Sequence, residues 1–319
     1  MYLGLDVGGT NTKCGILDEG NNLIYQHTIP TNAAKGRPHV LKSIAGIINR
    51  AIKFHPDVRA IGIGIGGAVD RDGIVRIAPN LPGWNNVDIA KYLSKSTSLP
   101  IFVENDANIA ALAEMSLGCC MYESDFLFVS LGSGVSSAIV YDRHILKGVN
   151  GGAGELGHII VDMNAAVTNK EQQYKTGILE EYVGKNKIAE QAKDVIEQYP
   201  NSILHTYEKL DPYFISAAVG KGDKAGLKIF KNAGRALGLG LASAMNLLDI
   251  PLVILGGGMA QSHQILFQTA LSTIQERAMP TIAAQAELRF SHFAKDTGVI
   301  GAALLGKLHL ENEETDEVE

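Results

Sequence analysis

The chain has few cysteines, and none of them predicts a disulfide framework. Only three occur among the 319 residues, Cys14 and the adjacent pair Cys119 and Cys120. Adjacent cysteines rarely pair with each other, and three cysteines make no framework. We therefore expect a cytoplasmic protein whose thiols stay reduced.

Long apolar runs and an amino-terminal targeting signal are missing as well. The most apolar stretch, residues 237–255, is interrupted by Asn246, Asp249 and Pro251, which predicts a buried helix followed by a buried strand. Met1 leads directly into an apolar strand that contains Asp6. We expect neither a membrane span nor a leader peptide.

The chain also lacks a surplus of positive charge. Its 28 Lys and Arg residues face 34 Asp and Glu residues, and six of those acids lie in the last nine positions. The remaining 28 acids balance the 28 bases, which argues against a broad nucleic-acid-binding surface. The acidic segment 311–319 is predicted to be a solvated tail.

What the chain has in quantity is glycine, and two glycine-rich turns resemble each other. Residues 2–13 read YLGLDVGGTNTK and residues 131–137 read LGSGVSS, each an apolar strand, a tight turn and a returning apolar run. Neither has the GxxxxGKS or GxxxxGKT spacing of a P-loop, nor a GxGxxG that opens a helix. Glycine lets a backbone approach phosphate closely, and Asp6 adds a carboxylate that can hold hydrated Mg²⁺. The pair predicts two related half-molecules facing one nucleotide; the alternative is two ordinary hairpins closed by glycine.

Strand and helix patterns alternate along the chain, which predicts an α/β architecture. We expect strands at 22–28, 60–66, 101–103, 126–130 and 252–255, and helices at 39–54, 107–117, 184–198, 213–219, 224–248 and 298–309. Glycines on one side of strand 60–66 predict that another element packs closely there. The predicted domains are a small α/β domain, 1–118, completed by the helix at about 298–310, and a large α/β domain, 119–297, with a hinge near 118–125.

Polar residues follow the strand at 101–103, just before an alanine-rich helix. Residues 104–108 read ENDAN, and ligand sites of open α/β sheets form at the carboxyl ends of strands. Asp106 either caps the helix or belongs to such a site. Glu155 and His158 lie three apart in a glycine-rich bend and either face one ligand or form a structural hydrogen bond. Glu180 lies near a helix start, where a carboxylate favourably meets the helix dipole.

Nine ordered motifs, from Leu3 to about Leu305, resemble those of sugar kinases of the ROK family (repressors, uncharacterised reading frames and kinases). They are LGLDVGGTNTK, GIGIGGAVD, APNLPGW, VENDANIAALAE, LGSGVSSAIVYD, GGAGELGH, GILEEY, VILGGGMA and TGVIGAALLG. The resemblance implies a two-lobed actin/hexokinase-like (ribonuclease H-like) ATPase fold with an inter-domain cleft.

The resemblance also implies a role for individual residues. Asp106 would be the general base for a sugar hydroxyl. Sugar-binding residues would be Gly67, Asn80, Asn105, Glu155, His158 and Glu180. Asp6 would organise Mg²⁺ through water, and the nucleotide-binding residues would be Gly8, Gly9, Thr10, Asn11, Lys13, Gly132, Ser133, Gly134, Gly256, Gly257 and Gly258.

The chain departs from the family at its structural zinc, which the histidine of the ExGH motif and three cysteines usually bind. No cysteine occurs between His158 and Ile178, so a thiolate site cannot form and we expect no structural zinc. Other hydrogen bonds must then orient His158.

The expected activity is ATP- and Mg²⁺-dependent phosphorylation of the primary hydroxyl of a hexose at carbon six, with glucose favoured. N-acetylmannosamine, N-acetylglucosamine and fructose are the alternative substrates. A sugar-responsive ROK transcriptional regulator is the alternative from another class, but such proteins add a helix-turn-helix domain, and only Met1 and Tyr2 precede the first hairpin. A non-catalytic sugar sensor is disfavoured by the intact Asp6 and Asp106. Small-molecule sugar and ATP are the expected partners, a homodimer is compatible with the resemblance, and no nucleic-acid or membrane partner is expected.

Overall fold

A computed structural model describes residues 1–167, 170–293 and 295–316, the side chains of residue 172 and residues 312–316 excepted. The strands of this part of the chain are β1 (Tyr2–Val7), β2 (Asn11–Leu17), β3 (Leu23–Pro30), β4 (Ala60–Ile65), β5 (Ala68–Val69), β6 (Val75–Ile77), β7 (Asn85–Val87), β8 (Ile101–Asn105), β9 (Phe126–Leu131), β10 (Val135–Tyr141), β11 (His144–Ile145), β12 (Leu252–Gly256) and β13 (Glu287–Phe290). Its α-helices are α1 (Arg37–Phe54), α2 (Ile89–Leu93), α3 (Asp106–Leu117), α4 (Glu180–Val183), α5 (Lys185–Glu197), α6 (Pro212–Gly220), α7 (Lys224–Leu248), α8 (Ile265–Arg277), α9 (Pro280–Ala283) and α10 (Thr297–Asp316).

The chain forms two compact units. Unit 1 comprises Met1–Ser124, Ala138–Gly154 and Ser291–Glu319, and unit 2 comprises Asp125–Ser137 and Glu155–Phe290. The domain bounds expected from the sequence, 1–118 with 298–310 and 119–297, stay a prediction.

The sheet of unit 1 has the strand order β3–β2–β1–β4–β8. Its first three strands are antiparallel neighbours, whereas β1, β4 and β8 are parallel. Val7 pairs with Ile65, and Ile65 pairs with Asn105. The three parallel strands therefore end side by side, and the residues that follow them leave the sheet at one edge.

The second sheet has the equivalent order β11–β10–β9–β12–β13. Its strands β9, β12 and β13, which lie in unit 2, are again parallel neighbours. Each sheet thus places its glycine-rich turn between the first parallel strand and the next strand along the chain. The common order confirms the internal repeat that the two turns predict.

Helix α10 packs on the sheet of unit 1 so closely that glycine is required beneath it. A Cβ atom on Gly62 would lie 1.7 Å from the carbonyl oxygen of Ala302, and one on Gly4 would lie 2.2 Å from that of Val299. This contact confirms the close packing predicted for the glycine side of strand 60–66. The helix continues beyond its predicted end at His309 to Asp316, while residues 317–319 of the predicted tail lie outside the described residues.

No helix in the described ranges is long and apolar enough to cross a membrane.

Candidate active site

Asn105 ends β8 and caps α3. Its Oδ1 accepts hydrogen bonds from the backbone N–H groups of Ala107 at 2.8 Å and Asn108 at 3.1 Å. Its Nδ2 donates to the carbonyl oxygen of Gly67 at 2.8 Å. Of the two roles that the sequence left open for Asp106, the capping role belongs to its neighbour: the cap is Asn105, and Asp106 is the first residue of the helix. The amide of Asn105 therefore joins the ends of two parallel strands.

Asp106 is half-buried at the amino-terminal end of α3, where the helix dipole favours a negative charge. Its Oδ1 accepts a hydrogen bond from the N–H of Ala107 at 2.9 Å. A Cβ atom on Gly66 would lie 3.3 Å from its Oδ2, so the chain after β4 passes close to the carboxylate. Asp106 thus lies at the edge where the parallel strands end, as the sequence predicts for a site residue.

A buried carboxylate, which no sequence pattern assigned to the site, lies at the end of β8 beneath the start of α3. The side chain of Glu104 is only 2% exposed and forms an ion pair with the Nζ of Lys147 at 2.6 Å. Its other oxygen accepts the N–H of Asn105 at 2.8 Å and the Nδ2 of Asn108 at 3.0 Å. Three donors therefore offset the cost of burying the charge. Lys147 lies 43 positions from Glu104, a spacing that no local pattern reveals.

The loop that follows Lys147 is also held in place within unit 1. The N–H of Ala153 donates to the carbonyl oxygen of Lys147 at 3.2 Å. Gly151 has a φ of 72°, and a Cβ atom there would lie 2.0 Å from the carbonyl oxygen of Val69. Glycine is thus required where this loop meets β5, four residues before Glu155.

The first glycine turn is closed by backbone bonds and by one threonine. The N–H of Gly8 donates to the carbonyl oxygen of Asn11 at 3.0 Å. The Oγ1 of Thr31 donates to the carbonyl oxygen of Gly8 at 2.7 Å, and the N–H of Thr31 donates to the carbonyl oxygen of Thr10 at 2.8 Å. A Cβ atom on Gly9 would lie 3.0 Å from the Cβ of Asn80, so this turn and Asn80 are neighbours.

Asp6 lies on β1 opposite Lys13 and faces the start of α10. A Cβ atom on Gly298 would lie 2.7 Å from its Oδ2. Burial raises the pKa of Asp6, and the nearby Lys13 ammonium partly opposes this rise. Lys13 itself donates to the carbonyl oxygen of Lys295 at 2.8 Å. No residue of the described chain donates a hydrogen bond to the Asp6 carboxylate. Its oxygens are therefore suited to accept hydrogen bonds from the water ligands of a hydrated Mg²⁺.

In unit 2, the second glycine turn contacts Glu180 directly. The N–H of Gly132 donates to the carbonyl oxygen of Gly134 at 2.9 Å, which closes the turn. The N–H of Val135 donates to the Oε2 of Glu180 at 2.8 Å. A Cβ atom on Gly134 would lie 2.3 Å from the same oxygen. Glu180 therefore orders this turn, and the sequence pattern did not reveal this contact.

The third glycine segment lies beside the same turn. Gly257 has a φ of 81°, and a Cβ atom there would lie 2.4 Å from the carbonyl oxygen of Leu131. The N–H of Lys185, at the start of α5, donates to the carbonyl oxygen of Gly132 at 2.9 Å. A Cβ atom on Gly184 would lie 3.0 Å from the carbonyl oxygen of Ser133. The predicted segments 132–134 and 256–258 are thus neighbours in unit 2.

Glu155 and His158 lie at the two ends of one short turn, and both are exposed. The N–H of His158 donates to the carbonyl oxygen of Glu155 at 3.0 Å. The imidazole ring stacks parallel to Tyr174, with 6.4 Å between the ring centroids. Residues 159–177 contain no cysteine, and the described residues hold no cluster of three His, Cys, Asp or Glu side chains that could bind a metal. The donors present do not fit a thiolate zinc site.

Two sheets of equivalent strand order, each with a glycine-rich turn beside its first parallel strand, define an α/β protein of the actin/hexokinase-like ATPase fold. The sequence pattern of the ROK family matches residues 2–308. The chain belongs to the ROK family.

Three relatives illustrate this similarity. The chain is 33% identical over 316 residues to a glucokinase of Halalkalibacterium halodurans, covering 96% of this chain and 94% of that protein. It is 25% identical to the ROK family glucokinase of Streptomyces griseus, solved in complex with glucose and AMPPNP, with a TM-score of 0.81 over 96% of this chain and 99% of that chain. A ROK family transcriptional regulator, a homologue of the E. coli MLC protein, gives a TM-score of 0.86 at 27% identity over 95% of this chain and 77% of that chain. Both kinases and regulators are therefore relatives.

Replacing Asp6 by asparagine should stabilise the ligand-free protein at neutral and alkaline pH. Because the pKa of Asp6 is raised, the folded protein holds this proton more tightly than the unfolded chain does. The ionised carboxylate thus costs stability above the ordinary pKa of aspartate, and this cost disappears as the pH falls below it. We expect Asp6→Asn to raise the Tm by roughly 2 °C at pH 8 and not at pH 3.5. Asp72→Asn, at an exposed position, serves as the control; a Tm gain that does not depend on pH would contradict the assignment.

Removing the cation beside Glu104 should destabilise unit 1. We expect Lys147→Met to lower the free energy of unfolding by about 2 kcal/mol, less than for a fully enclosed pair because Lys147 is partly exposed and Glu104 keeps two donors. Denaturant titration measures this loss. Adding Glu104→Gln should recover part of it, since the buried charge is then gone; a double variant less stable than Lys147→Met would argue against the pair.

A methyl group on Gly134 should displace Glu180. We expect Gly134→Ala to lower the free energy of unfolding by about 2 kcal/mol and to speed amide exchange at Val135. Gly220→Ala is the matched control, since a Cβ atom there meets no atom within 4 Å. Equal stability of the two variants would mean that the turn shifts without cost.

Proposed function

We propose that this protein is an ATP- and Mg²⁺-dependent hexose kinase that phosphorylates the primary hydroxyl at carbon six, with glucose as the favoured substrate. The observation that carries the proposal is the geometry around Asp106. Its carboxylate stands at the start of α3, at the edge where three parallel strands end, while Asn105 takes the capping role. Similarity to glucokinases over nearly the whole chain supports the same activity.

In this proposal Asp106 acts as the general base. Phosphoryl transfer requires mainly that the protein align the nucleophile and stabilise charge. The hydroxyl oxygen forms a bond to the γ-phosphorus, the bond from that phosphorus to the ADP oxygen breaks, and the hydroxyl proton passes to the Asp106 carboxylate. The hydrogen bond from Ala107 to Oδ1 fixes the carboxylate, which points Oδ2 towards Gly66.

The sugar would be held by side chains that offer oriented acceptors. Glu155 and His158 are exposed, and the Oε1 of Glu180 accepts no hydrogen bond from the described residues. Carboxylates accept hydrogen bonds from neighbouring sugar hydroxyls, and imidazole can donate or accept. In unit 1, the proposed sugar-binding residues are Asn105, Gly67 and Asn80. One N–H of the Asn105 amide donates to the carbonyl oxygen of Gly67, and the second N–H remains to donate to a sugar hydroxyl.

The nucleotide would be bound by the backbone of the glycine segments. Residues 8–10 with Asn11 and Lys13, and residues 132–134, are the proposed phosphate contacts, and residues 256–258 the adenosine contact. Asp6 would hold Mg²⁺ through water, and the ion when bound supplies positive charge to the phosphates. The three free thiols of the chain support a reducing, cytoplasmic setting.

The proposal is tested with purified protein, ATP, Mg²⁺ and a panel of glucose, fructose, N-acetylmannosamine and N-acetylglucosamine, with ADP release as the measurement. We expect the highest kcat/KM with glucose. Preference for another panel member would correct the substrate and keep the reaction class. Absence of sugar-dependent ADP release with every member, together with sugar binding, would instead favour the regulator class.

Asp106→Asn separates the chemical role from the structural one. The variant keeps an oxygen for the Ala107 N–H but no longer has a basic carboxylate, so we expect kcat to fall by about 10²–10⁴-fold with the sugar KM within about threefold. Asp88→Asn is the matched control, because Asp88 also stands at a helix start in unit 1, where it caps α2. A near-normal kcat for Asp106→Asn would remove the proposed base.

A further inference from the structure

The chain between His158 and Glu180 closes on itself through backbone hydrogen bonds. Ile160 and Ile178 form an antiparallel bridge. The N–H of Leu179 donates to the carbonyl oxygen of Ile159 at 2.9 Å. The N–H groups of Val161 and Asp162 both donate to the carbonyl oxygen of Gly177, at 2.8 and 3.1 Å. We call the contact between residues 159–162 and 177–182 the clasp.

A side-chain hydrogen bond completes the clasp. The hydroxyl of Tyr182 donates to the Oδ2 of Asp162 at 2.7 Å, and the N–H of Asn164 donates to the Oδ1 at 2.9 Å. These donors lower the pKa of Asp162. Burial and the neighbouring Asp162 raise the pKa of Tyr182 to about 12, so the phenol stays a donor through the physiological range. A bond between a neutral hydroxyl and a carboxylate is stronger than one between two neutral groups.

The clasp fixes two proposed sugar-binding residues from both sides. His158 directly precedes the first segment of the clasp, and Glu180 lies between Leu179 and Tyr182 in the second segment. Leu179 is fully buried, and a Cβ atom on Gly240 of α7 would lie 2.8 Å from its side chain. The closed segment is therefore anchored to a long helix as well as to itself.

If nothing linked the two ends of the segment between His158 and Glu180, the segment would lose conformational entropy each time a sugar binds. Cysteine ligation of a metal cannot supply the link here, since residues 159–177 contain no cysteine. The hydrogen bonds of the clasp join the two ends of the same segment.

We propose that the clasp orients His158 and Glu180 for the sugar without a metal, and that Asp162 and Tyr182 are positioning residues for sugar binding. The inference rests on the proposed function, because the sugar-binding role of His158 and Glu180 belongs to that proposal.

Tyr182→Phe removes the hydroxyl and keeps the ring. We expect the hexose KM to rise about tenfold, while kcat and the KM for ATP stay within about twofold, because the loss affects orientation of the sugar rather than the chemistry. Asp162→Asn should have a similar effect, and the double variant should be no worse than the stronger single one. Tyr213→Phe is the matched control, since Tyr213 lies on α6 in the same unit and is 75% exposed. An unchanged hexose KM in Tyr182→Phe would overturn the proposal.

Two measurements do not depend on the kinase assay. Hydrogen exchange of the amides of Val161, Asp162 and Leu179 should be slow in the unaltered protein and faster in Tyr182→Phe, even if no hexose is phosphorylated and the proposed function fails. Metal analysis should find zinc far below one atom per chain, and a zinc chelator with Mg²⁺ in excess should leave these exchange rates unchanged. Unaltered exchange in Tyr182→Phe, or stoichiometric zinc whose removal speeds exchange at these amides, would overturn the metal-free clasp.

Discussion

The candidate site depends on one charge that is buried with full compensation. Glu104 is almost entirely removed from water, and it keeps its place because a lysine, a backbone N–H and an asparagine amide all donate to it. Each donor belongs to a different segment around the candidate site. Lys147 begins the loop towards Glu155, Asn105 caps α3, and Asn108 lies in the first turn of that helix. A buried carboxylate that loses one of its donors destabilises the fold. The position of Asp106 therefore follows from the electrostatics of a neighbour that takes no part in the proposed chemistry.

The glycine turns need the same kind of support, because glycine by itself specifies no single conformation. In unit 1 the turn at residues 8–11 is held by Thr31, which bonds to it with both side chain and backbone. In unit 2 the turn at residues 132–134 is held by Glu180, through the N–H of Val135. Glycine thus provides room for a close approach, while a polar side chain from elsewhere in the chain supplies the order that the proposed phosphate contacts require.

Local patterns predicted many of the longer elements but not helix α8 or strand β13, and they did not reveal contacts between distant segments. Helix α7 has the bounds expected from its periodicity, and the glycines of β4 correctly indicated a close neighbour. The ENDAN segment was correctly placed at a strand end, but the sequence considered only Asp106 as a cap and left that role open, because propensity does not distinguish two adjacent capping residues. Lys147 with Glu104, and Asp162 with Tyr182, are pairs between separate segments, so no periodicity connects them. The roles of the individual site residues stay predictions.

The repeat explains both the similarity of the two sheets and the single proposed base. Strands β4 and β12 occupy equivalent places and are each followed by glycines, Gly66 and Gly67 in one case and Gly257 and Gly258 in the other. Strands β8 and β13 are equivalent too, yet β8 leads into Asp106 whereas β13 leads into Ser291. The hydroxyl of Ser291, a residue of unit 1, donates to the buried Glu114 of α3 at 2.6 Å. A common topology therefore provides equivalent strand ends, and they differ in the residue that follows: after β8 it is the proposed base Asp106, and after β13 it is a serine that bonds to Glu114.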